Sequence, residues 1–331
     1  MMGLAKRLYL AVYSVCLFGI AIHSDADAQI GPSSMRAYQC GPQGSDHAVL
    51  AYGDYQAVIN DYDSGTLSKS KFIGNIIFAA GVAAFYDSST QQAIVVGVQG
   101  YSDVATATMT MYSYDCTNPG SVVQTHPLGS ITTLKKLGRF YPTAATYGYS
   151  THVSGFDANG EHHVVVGTTK GYLLDYCFGK CSGNWHVIGS GLGNINDVSA
   201  YQPSDNYYHA LVATTSGIRE IFYTNQAAYV DKLFTVPSNA VAGANRASQS
   251  AFPFSGAGYA NLVLYQDAIR LRTFSYGIQG KSPVVTINGI ISKVIGIGIA
   301  HTTPVSDYYF VTVPLPNGTF QLRYCTALSQ C

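Results

Sequence analysis

Hydrophobic positions along the chain recur in short runs separated by polar turns. The run Ala210-Leu-Val-Ala-Thr is followed by a tight Thr-Ser-Gly turn and by a second run that ends in an aromatic residue. The same small-or-apolar run begins at residues 48, 93, 163, 261 and 309, so that anchors taken at its second residue are 45, 70, 47, 51 and 48 residues apart. Such runs, bounded by Gly, Asn, Asp, Ser and Pro, are typical of β-strands joined by tight turns.

Each anchor lies in a longer pattern that also repeats. An apolar run precedes it by about eleven residues, a run ending in an aromatic residue follows it, and a more variable fourth run comes last. Six four-stranded units of about 48 residues match the blade period of a β-propeller, so the sequence predicts an all-β, six-bladed propeller. The 70-residue interval predicts an insertion within residues 132–148. A tandem of β-sandwiches is the competing architecture, and the even six-fold period favours the propeller.

The amino-terminal pattern differs from the repeat. A basic start leads into an apolar run of about fifteen residues and a small-x-small ending at Ala26-Asp27-Ala28. This is typical of a secretory signal, and the run is shorter than a bilayer span, although a membrane anchor stays open as the alternative. We therefore predict a signal peptide over residues 1–28, a single propeller domain over 29–331 with no membrane span, and a secreted, extracellular protein.

Seven cysteines are present, of which Cys16 lies in the predicted signal. An even remainder in an exported chain predicts disulfide bonds among Cys40, Cys116, Cys177, Cys181, Cys325 and Cys331. We expect Cys40 to pair with Cys325 or Cys331 and so to close the ring, and Cys116 to pair with Cys177 or Cys181. The Cys177-x3-Cys181 spacing also suits metal ligands, but no histidine pair completes a zinc pattern, so no metal is predicted.

Composition narrows the function classes. The 18 basic and 18 acidic residues balance, only 11% of residues are charged, and no basic stripe is present, so nucleic-acid binding is not predicted. The 26 tyrosines and 34 glycines suit an extracellular β-protein with short turns. The sequon Asn317-Gly318-Thr319 predicts a glycosylated surface turn. No cofactor is predicted, and the oligomeric state stays open.

Two sets of residues are candidates for binding a ligand. One set would line the channel mouth at the entry to the first strands: Asn75, Tyr147, Asn194, Asn196, Asn245 and Lys293, with Asp197 and Arg246 beside them. Amides and hydroxyls there suit a polyhydroxylated ligand, although asparagine also simply favours turns. The other set lies on the third strands: Arg219, Glu220 and Tyr223, then Arg270, Arg272 and Tyr276, then Arg323 and Tyr324. The arginines offer hydrogen-bond donors to a sugar, the glutamate offers an acceptor, and the aromatic rings offer an apolar face. The alternative is that the arginines face solvent and only pack over the aromatic rings.

The run Ile218–Tyr223, and more loosely Ile269–Tyr276, resembles the I-R-x-x-[FY]-Y strands of the fungal fucose-specific lectins. The resemblance covers residues 35–325 in period. It implies a six-bladed propeller with sugar sites between blades, built from arginine, glutamate and aromatic residues. Because Trp185 is the single tryptophan and only Glu220 matches the acidic position, it implies one or two such sites here.

Signatures of enzymes are sparse. No His-Glu-x-x-His zinc motif and no Gly-x-Ser-x-Gly elbow is present, and Ser150, His152 and Asp157 are too collinear for a triad. Asp87, Asp103, Asp157 and Asp197 are candidates for a glycosidase pair. We predict a carbohydrate-binding, lectin-like protein whose partner is a glycan or another small-molecule ligand. A propeller enzyme at the channel mouth (cyclase, isomerase or hydrolase) and a secreted effector or protein-binding scaffold stay open.

Overall fold

The computed structural model describes the chain in segments that cover all six repeats. These are residues 20–21, 32–52, 56–67, 70–77, 79–99, 108–118, 124–130, 150–181, 183–202, 207–214, 217–224, 229–234, 246–251, 259–266, 271–277, 280–281, 285–286, 296–302, 307–314 and 320–325. Within them, strands predominate, and none of the helical structure is long and apolar enough to cross a lipid bilayer.

The strands form six antiparallel sheets, one for each predicted repeat. The first blade is β2 (Pro32–Gln39), β3 (Asp46–Tyr52), β4 (Gln56–Asp63) and β5 (Ser70–Ile77), with a 3₁₀ turn at Ser64–Thr66, and the second is β6 (Ala79–Asp87), β7 (Gln92–Gln99), β8 (Thr108–Tyr114) and β9 (Gln124–Ser130). The third is β10 (Ser150–Ala158), β11 (Glu161–Thr168), β12 (Leu173–Gly179) and β13 (Asn184–Gly189), and the fourth is β14 (Ile195–Tyr201), β15 (Tyr208–Thr214), β16 (Gly217–Tyr223) and β17 (Tyr229–Phe234). The fifth is β18 (Arg246–Ala251), β19 (Tyr259–Gln266) and β20 (Leu271–Gly277), with β21 (Gly280–Lys281) and β22 (Val285–Thr286) both on β20. The sixth is β23 (Gly296–Thr302), β24 (Asp307–Pro314) and β25 (Phe320–Cys325), completed by β1 (Ile20–Ala21).

This arrangement confirms the predicted six-bladed propeller. The six first strands (β2, β6, β10, β14, β18 and β23) contact one another in cyclic order, and β23 contacts β2, so the ring is closed at its centre. The sixth blade takes its fourth strand from β1, which pairs with β25. Because β1 lies within residues 1–28, the signal peptide stays a prediction. The expected insertion at 132–148 lies outside the described residues.

Small residues let the first strands approach closely around the centre. A Cβ atom added to Gly298 of β23 would lie 2.6 Å from the Cβ of Ala37 in β2, and one added to Gly155 of β10 would lie 2.9 Å from the Cβ of Ala83 in β6. Side chains do not tolerate such separations, so glycine on one strand facing alanine on the next is a packing requirement of the ring.

Arg36 of β2 links three blades. Its Nε donates to the carbonyl oxygen of Val153 in the third blade at 2.6 Å, and its Nη2 donates to Asp197 Oδ1 at 3.0 Å and to the carbonyl oxygen of Val198 at 2.8 Å in the fourth. Nη1 donates to the carbonyl oxygen of Met35 at 2.7 Å. The Arg36 side chain is 11% exposed. A single guanidinium therefore ties the first blade to two blades that are not its sequence neighbour.

The hydrophobic core lies in layers between adjacent blades. Alternate residues of a strand face opposite neighbours, and the described side chains of the first, second and third blades are buried on both faces. One layer joins the first and second blades, a second joins the second and third, a third joins the third and fourth, and another joins the sixth and first. The apolar runs noted in the sequence are the centres of these layers, as the full burial of Val49, Val95, Val165 and Leu211 shows.

Both predicted disulfide pairings were wrong. Cys40 is bonded to Cys116, which joins the first blade to the second, and Cys177 is bonded to Cys181 within the third. The end of β2 lies against the end of β8, with a Cα–Cα distance of 6.0 Å between Cys40 and Cys116, rather than against the last blade. Cys325 is also in a disulfide, and Cys331 and the sequon at Asn317 lie outside the described residues.

Candidate functional site

Among the residues that the structure describes, three blades each contain a buried cluster of one aromatic ring, one histidine and one carboxylate. The ring comes from the first strand, the histidine faces it across the ladder from the start of the second strand, and the carboxylate comes from the third strand. Each histidine Nδ1 lies 2.8–3.2 Å from its carboxylate. The clusters are Tyr38–His47–Asp61, Phe156–His163–Asp175 and Tyr201–His209–Glu220.

In the first blade, this cluster also holds the second blade. Asp61 Oδ2 accepts hydrogen bonds from the hydroxyls of Tyr38 at 2.9 Å and Tyr114 at 2.6 Å, and Asp61 Oδ1 lies 3.1 Å from His47 Nδ1. Tyr114 belongs to β8, so the carboxylate bridges two blades. Burial, and then the charge of Asp61, raises the pKa of both tyrosines well above the usual value, so both hydroxyls stay protonated and donate.

The cluster opens to solvent on its outer side. His47 Nε2 lies 3.1 Å from the hydroxyl of Ser45, which donates to Asp63 Oδ2 at 2.9 Å. Ser45 is exposed, and the Asp63 side chain is 33% exposed. We call Ser45, His47, Asp61 and Asp63 the first-blade polar site. Beside it, Lys71 Nζ lies 4.6 Å from the centre of the Tyr114 ring, and burial lowers the pKa of Lys71 although Asp61 and Asp115 oppose this.

Acidic neighbours control the charge of His47. Burial by itself lowers the pKa of His47, but the hydrogen bond that His47 donates to Asp61 and the negative charges of Asp61, Asp63 and Asp46 outweigh burial, and the net pKa is raised. The imidazolium is therefore favoured in the folded chain. It bridges a fully buried carboxylate and the exposed pair of Ser45 and Asp63.

We expect His47 to stabilise the fold in a pH-dependent way. Because its folded pKa lies above the unfolded value of about 6.5, its contribution is full below that pH and is lost as the pH rises through the folded pKa. The loss of unfolding free energy in His47→Gln should thus be larger at about pH 5.5 than at about pH 8.5. Urea unfolding at both pH values measures this. Ser45→Ala, which keeps all the carboxylates, is the control and should retain the wild-type pH dependence. Equal losses at both pH values would contradict the assignment.

A second ionisable cluster lies between the second and third blades. His162 Nε2 is 3.5 Å from Asp87 Oδ2, and His162 Nδ1 is 3.3 Å from Asp157 Oδ1. Burial raises the pKa of Asp157. Burial also tends to raise the pKa of Asp87, but the hydrogen bonds that Thr90 and Ser89 donate to Asp87 outweigh burial and hold its pKa below the usual value.

Divergent carboxyl pKa values are what a glycosidase pair needs. The structure brings together Asp87 and Asp157, two of the four aspartates that the sequence offered for that role. However, Asp87 is 1% exposed, so a glycosidic bond cannot reach its carboxylate without moving the Ser89 and Thr90 turn. Asp197 instead pairs with Arg36 at 3.0 Å, and Asp103 lies outside the described residues.

The residues predicted on β16 do not share one open surface. Glu220 is 1% exposed and lies 3.2 Å from His209 Nδ1, whereas Tyr223 is 1% exposed and packs its ring 5.4 Å from that of Tyr208. Arg219 is partly exposed and points to the same side of the strand as Tyr223, opposite to Glu220. Their role in ligand binding stays a prediction.

The remaining candidates are placed only in part. Asn194 is exposed just before β14, and Asn196 is partly exposed within it. Arg246 is the first residue of β18 and pairs with Leu264, and Arg272 and Tyr276 lie in β20. For these three residues the structure describes the backbone alone. Asn245 lies outside the described residues. The channel mouth therefore remains a prediction.

Sequence reasoning missed the histidine–carboxylate pairs. The signal was present, because His47, His163 and His209 each lie one or two residues before the anchor of a repeat. Their partners lie 11 to 14 residues further on, and the two residues meet only through the register of the second and third strands. A search for contiguous motifs does not find such pairs.

Comparisons with known proteins support the fold alone. No protein-family profile matches the chain, and no curated protein matches its sequence. Among solved structures, the SapL1 lectin in complex with α-methyl fucoside is 14% identical with a TM-score of 0.54, over 86% of this chain and 90% of that one. The six-bladed fucose-recognising lectin of Aleuria aurantia is 12% identical with a TM-score of 0.55, over 88% and 90%. The α-L-arabinanase of Penicillium chrysogenum with arabinobiose is 12% identical with a TM-score of 0.56, over 94% and 98%. The resemblance to fungal fucose lectins is thus confirmed in architecture.

Proposed function

We propose that this protein binds carbohydrate, at the first-blade polar site. The observation that carries the proposal is the exposed hydroxyl of Ser45 and the third-exposed carboxylate of Asp63, 2.9 Å apart and backed by His47. A carboxylate accepts hydrogen bonds from two neighbouring sugar hydroxyls, and a serine hydroxyl both donates and accepts. Because His47 is fixed by buried Asp61, these groups are already oriented before a ligand arrives.

The similar solved structures support a saccharide as the ligand class. The Aleuria and SapL1 lectins are seen with fucosides, and the Penicillium arabinanase is seen with arabinobiose. Because the identity is only 12–14%, the residues that bind these ligands are not assigned to positions in this chain. The low charge and the balance of acids and bases in this chain agree with a neutral ligand rather than a strongly charged one.

The β16 residues are the second location for the same function. Arg219 is partly exposed, but the acidic and aromatic partners predicted for it are enclosed by the fourth blade and its neighbour. The first-blade polar site needs no such rearrangement, so we place it first. A hydrolase would use the pair of Asp87 and Asp157, but Asp87 is enclosed, so we place hydrolysis after binding. The cyclase and effector-scaffold alternatives stay predictions.

We also propose that the chain is exported. Disulfides form and persist in oxidising compartments, and the Cys40–Cys116 bond joins two blades across a sequence separation of 76 residues. The amino-terminal pattern of a basic start, an apolar run and small residues agrees with this route.

We expect a glycan array probed with the secreted chain to show binding that free sugar competes. Loss of a hydrogen bond to a charged group costs about 1.5–3 kcal/mol, so Asp63→Asn should weaken binding by roughly 10- to 100-fold. Ser45→Ala should weaken it less, since a neutral bond is lost. The matched control is Ser89→Ala, an exposed serine in the equivalent turn of the second blade, which should bind like wild type.

Three results would change the proposal. Binding that survives Asp63→Asn but is abolished by Arg219→Ala would move the site to β16. A folded chain that binds no saccharide on the array would overturn carbohydrate binding altogether. Release of smaller sugars from a bound glycan would make the protein a glycan-acting enzyme rather than a lectin.

A further inference from the structure

Four metal-ligating side chains meet at one end of the third blade. Glu161 and His163 lie two residues apart on β11 and so share a face of the sheet, Cys177 faces His163 directly across the ladder on β12, and Cys181 follows in the next turn. One ligand atom of each lies within 4.8 Å of those of the others. The register of two strands and one turn thus assembles a Cys–Cys–His–Glu set that the sequence does not show as a contiguous motif.

The histidine is aimed at the sulfurs. Its Nδ1 lies 2.8 Å from Asp175 Oδ2, which leaves Nε2 facing Cys177 Sγ at 3.4 Å and Glu161 Oε2 at 4.0 Å. For zinc, bond lengths of about 2.3 Å to sulfur and 2.0 Å to nitrogen at a tetrahedral angle place the two ligand atoms about 3.5 Å apart. The observed nitrogen–sulfur separation has that value.

The surroundings of the ligands are those of a metal site. A carboxylate that binds the far nitrogen of a ligating histidine fixes its tautomer and its orientation, as Asp175 does here. The hydroxyl of Tyr208 donates to Glu161 Oε2 at 2.7 Å and orients the carboxylate in the same way. His163 is fully buried, whereas Glu161 and Cys181 are partly exposed and leave an entry path.

The Cys177–Cys181 disulfide is expected to stabilise the fold less than the Cys40–Cys116 disulfide does. It closes a loop of only four residues in sequence, against 76 for Cys40–Cys116, and the entropic stabilisation by a disulfide grows with loop length. The histidine–carboxylate pair also occurs in the first and fourth blades, so the pair alone does not indicate a metal. In the third blade, however, the other ring nitrogen of the histidine faces a cysteine sulfur, whereas in the first blade it faces a serine hydroxyl.

We propose that Glu161, His163, Cys177 and Cys181 form a tetrahedral zinc site in the reduced chain, and that the disulfide is the alternative, metal-free state. Two molecules of a small thiol reduce the Cys177–Cys181 bond, each giving one electron and one proton, and leave as their own disulfide. The two new thiols lose their protons to water when Zn²⁺ binds. Thiolate, imidazole and carboxylate are each zinc ligands, four of them complete a tetrahedral shell, and the C-x3-C spacing fits. This inference does not depend on carbohydrate binding.

The test measures zinc bound per chain. The full chain is reduced anaerobically with a phosphine, given zinc chloride, passed through a desalting column and analysed by elemental mass spectrometry. We expect about one zinc per reduced chain and none on the oxidised chain. Cys181→Ser should lose the metal, whereas the matched Cys40→Ser/Cys116→Ser variant should keep it. Asp175→Asn, a positioning residue, should weaken zinc affinity by about 10- to 100-fold while the reduced chain still binds.

A second route removes the risk that reduction unfolds the protein. The chain is produced in a reducing cytoplasm with zinc in the medium, and the purified protein is analysed directly. Alkylation of thiols followed by peptide mass spectrometry should show that zinc protects Cys177 and Cys181 but not Cys40 and Cys116. If neither route yields zinc on the chain, or if Cys181→Ser retains wild-type zinc, the proposal is wrong.

Discussion

Replacing Arg36 by methionine is expected to lower the free energy of unfolding by about 3–5 kcal/mol, because it breaks a buried ion pair and leaves the charge of Asp197 without its cation, although Val198 N–H still donates to Asp197. The guanidinium makes contacts to Asp197 and to the carbonyl oxygens of Val153 and Val198 at 2.6–3.0 Å. Methionine preserves much of the side-chain volume but leaves the Asp197 carboxylate, which is 6% exposed, beside two carbonyl oxygens. The effect should be large because three blades lose a shared contact at once.

Urea unfolding followed by tyrosine fluorescence measures this loss. Arg36→Lys should recover only part of it, since an ammonium cannot reproduce the forked geometry that reaches two blades. The matched control is Arg323→Met on β25, because Arg323 is partly exposed and bonds Gln321 on its own strand, so its loss should cost below about 1 kcal/mol. In a double-mutant cycle, Asp197→Asn should be less harmful on top of Arg36→Met than alone. Additive losses, or an Arg36→Met chain as stable as wild type, would contradict the bridging role.

The fold was predictable because each blade corresponds to a local pattern of apolar runs and polar turns, and this pattern repeats along the chain. Each unit carries its own apolar runs and turns, and the anchors whose side chains the structure describes, such as Val49 and Leu211, are the buried centres of second strands. A period of about 48 residues then leaves few architectures. What the period could not specify is which strand ends meet between blades. Cys40 was correctly placed near a neighbouring blade, but the neighbour is the second blade and not the sixth.

The candidate site was predictable only in its parts. The motif on β16 is local, so the sequence alone selects Arg219, Glu220 and Tyr223, but their alternation across the strand puts Glu220 on the opposite side to the other two, and their role in binding stays a prediction. The contacts of Asp61 were not found, because its partners come from two blades and three strands and lie 14 to 53 residues away. Register decides such contacts, and a single sequence reports register only through its hydrophobic alternation.

Asp61→Ala is the second substitution with a large expected effect, a loss of about 3–5 kcal/mol of unfolding free energy. The change leaves three buried donors without their acceptor: the hydroxyls of Tyr38 and Tyr114 and Nδ1 of His47. The two hydroxyls lie 3.1 Å apart and can still bond each other, which recovers one of the lost bonds. His47 loses its nearest carboxylate but keeps the negative charges of Asp63 and Asp46, so the raised pKa of His47 should fall in the variant and the stabilisation at acidic pH should become smaller.

Asp63→Ala separates this effect from a general loss of negative charge. Asp63 lies two residues away on the same strand face and also acts on His47, but it is a third exposed, so its removal should cost below about 1 kcal/mol. Tyr114→Phe removes the hydrogen-bond donor that the second blade offers to Asp61. The losses of unfolding free energy from Tyr114→Phe and Asp61→Asn should therefore combine to less than their sum, because the asparagine is already a weaker acceptor for the missing hydroxyl. Urea unfolding at about pH 5.5 and pH 8.5 gives both the size of each loss and its dependence on the charge of His47. An Asp61→Ala chain whose unfolding free energy is within about 1 kcal/mol of wild type would contradict this prediction. It would show that the Cys40–Cys116 bond and apolar packing hold the two blades together. The buried carboxylate would then orient His47 rather than stabilise the ring.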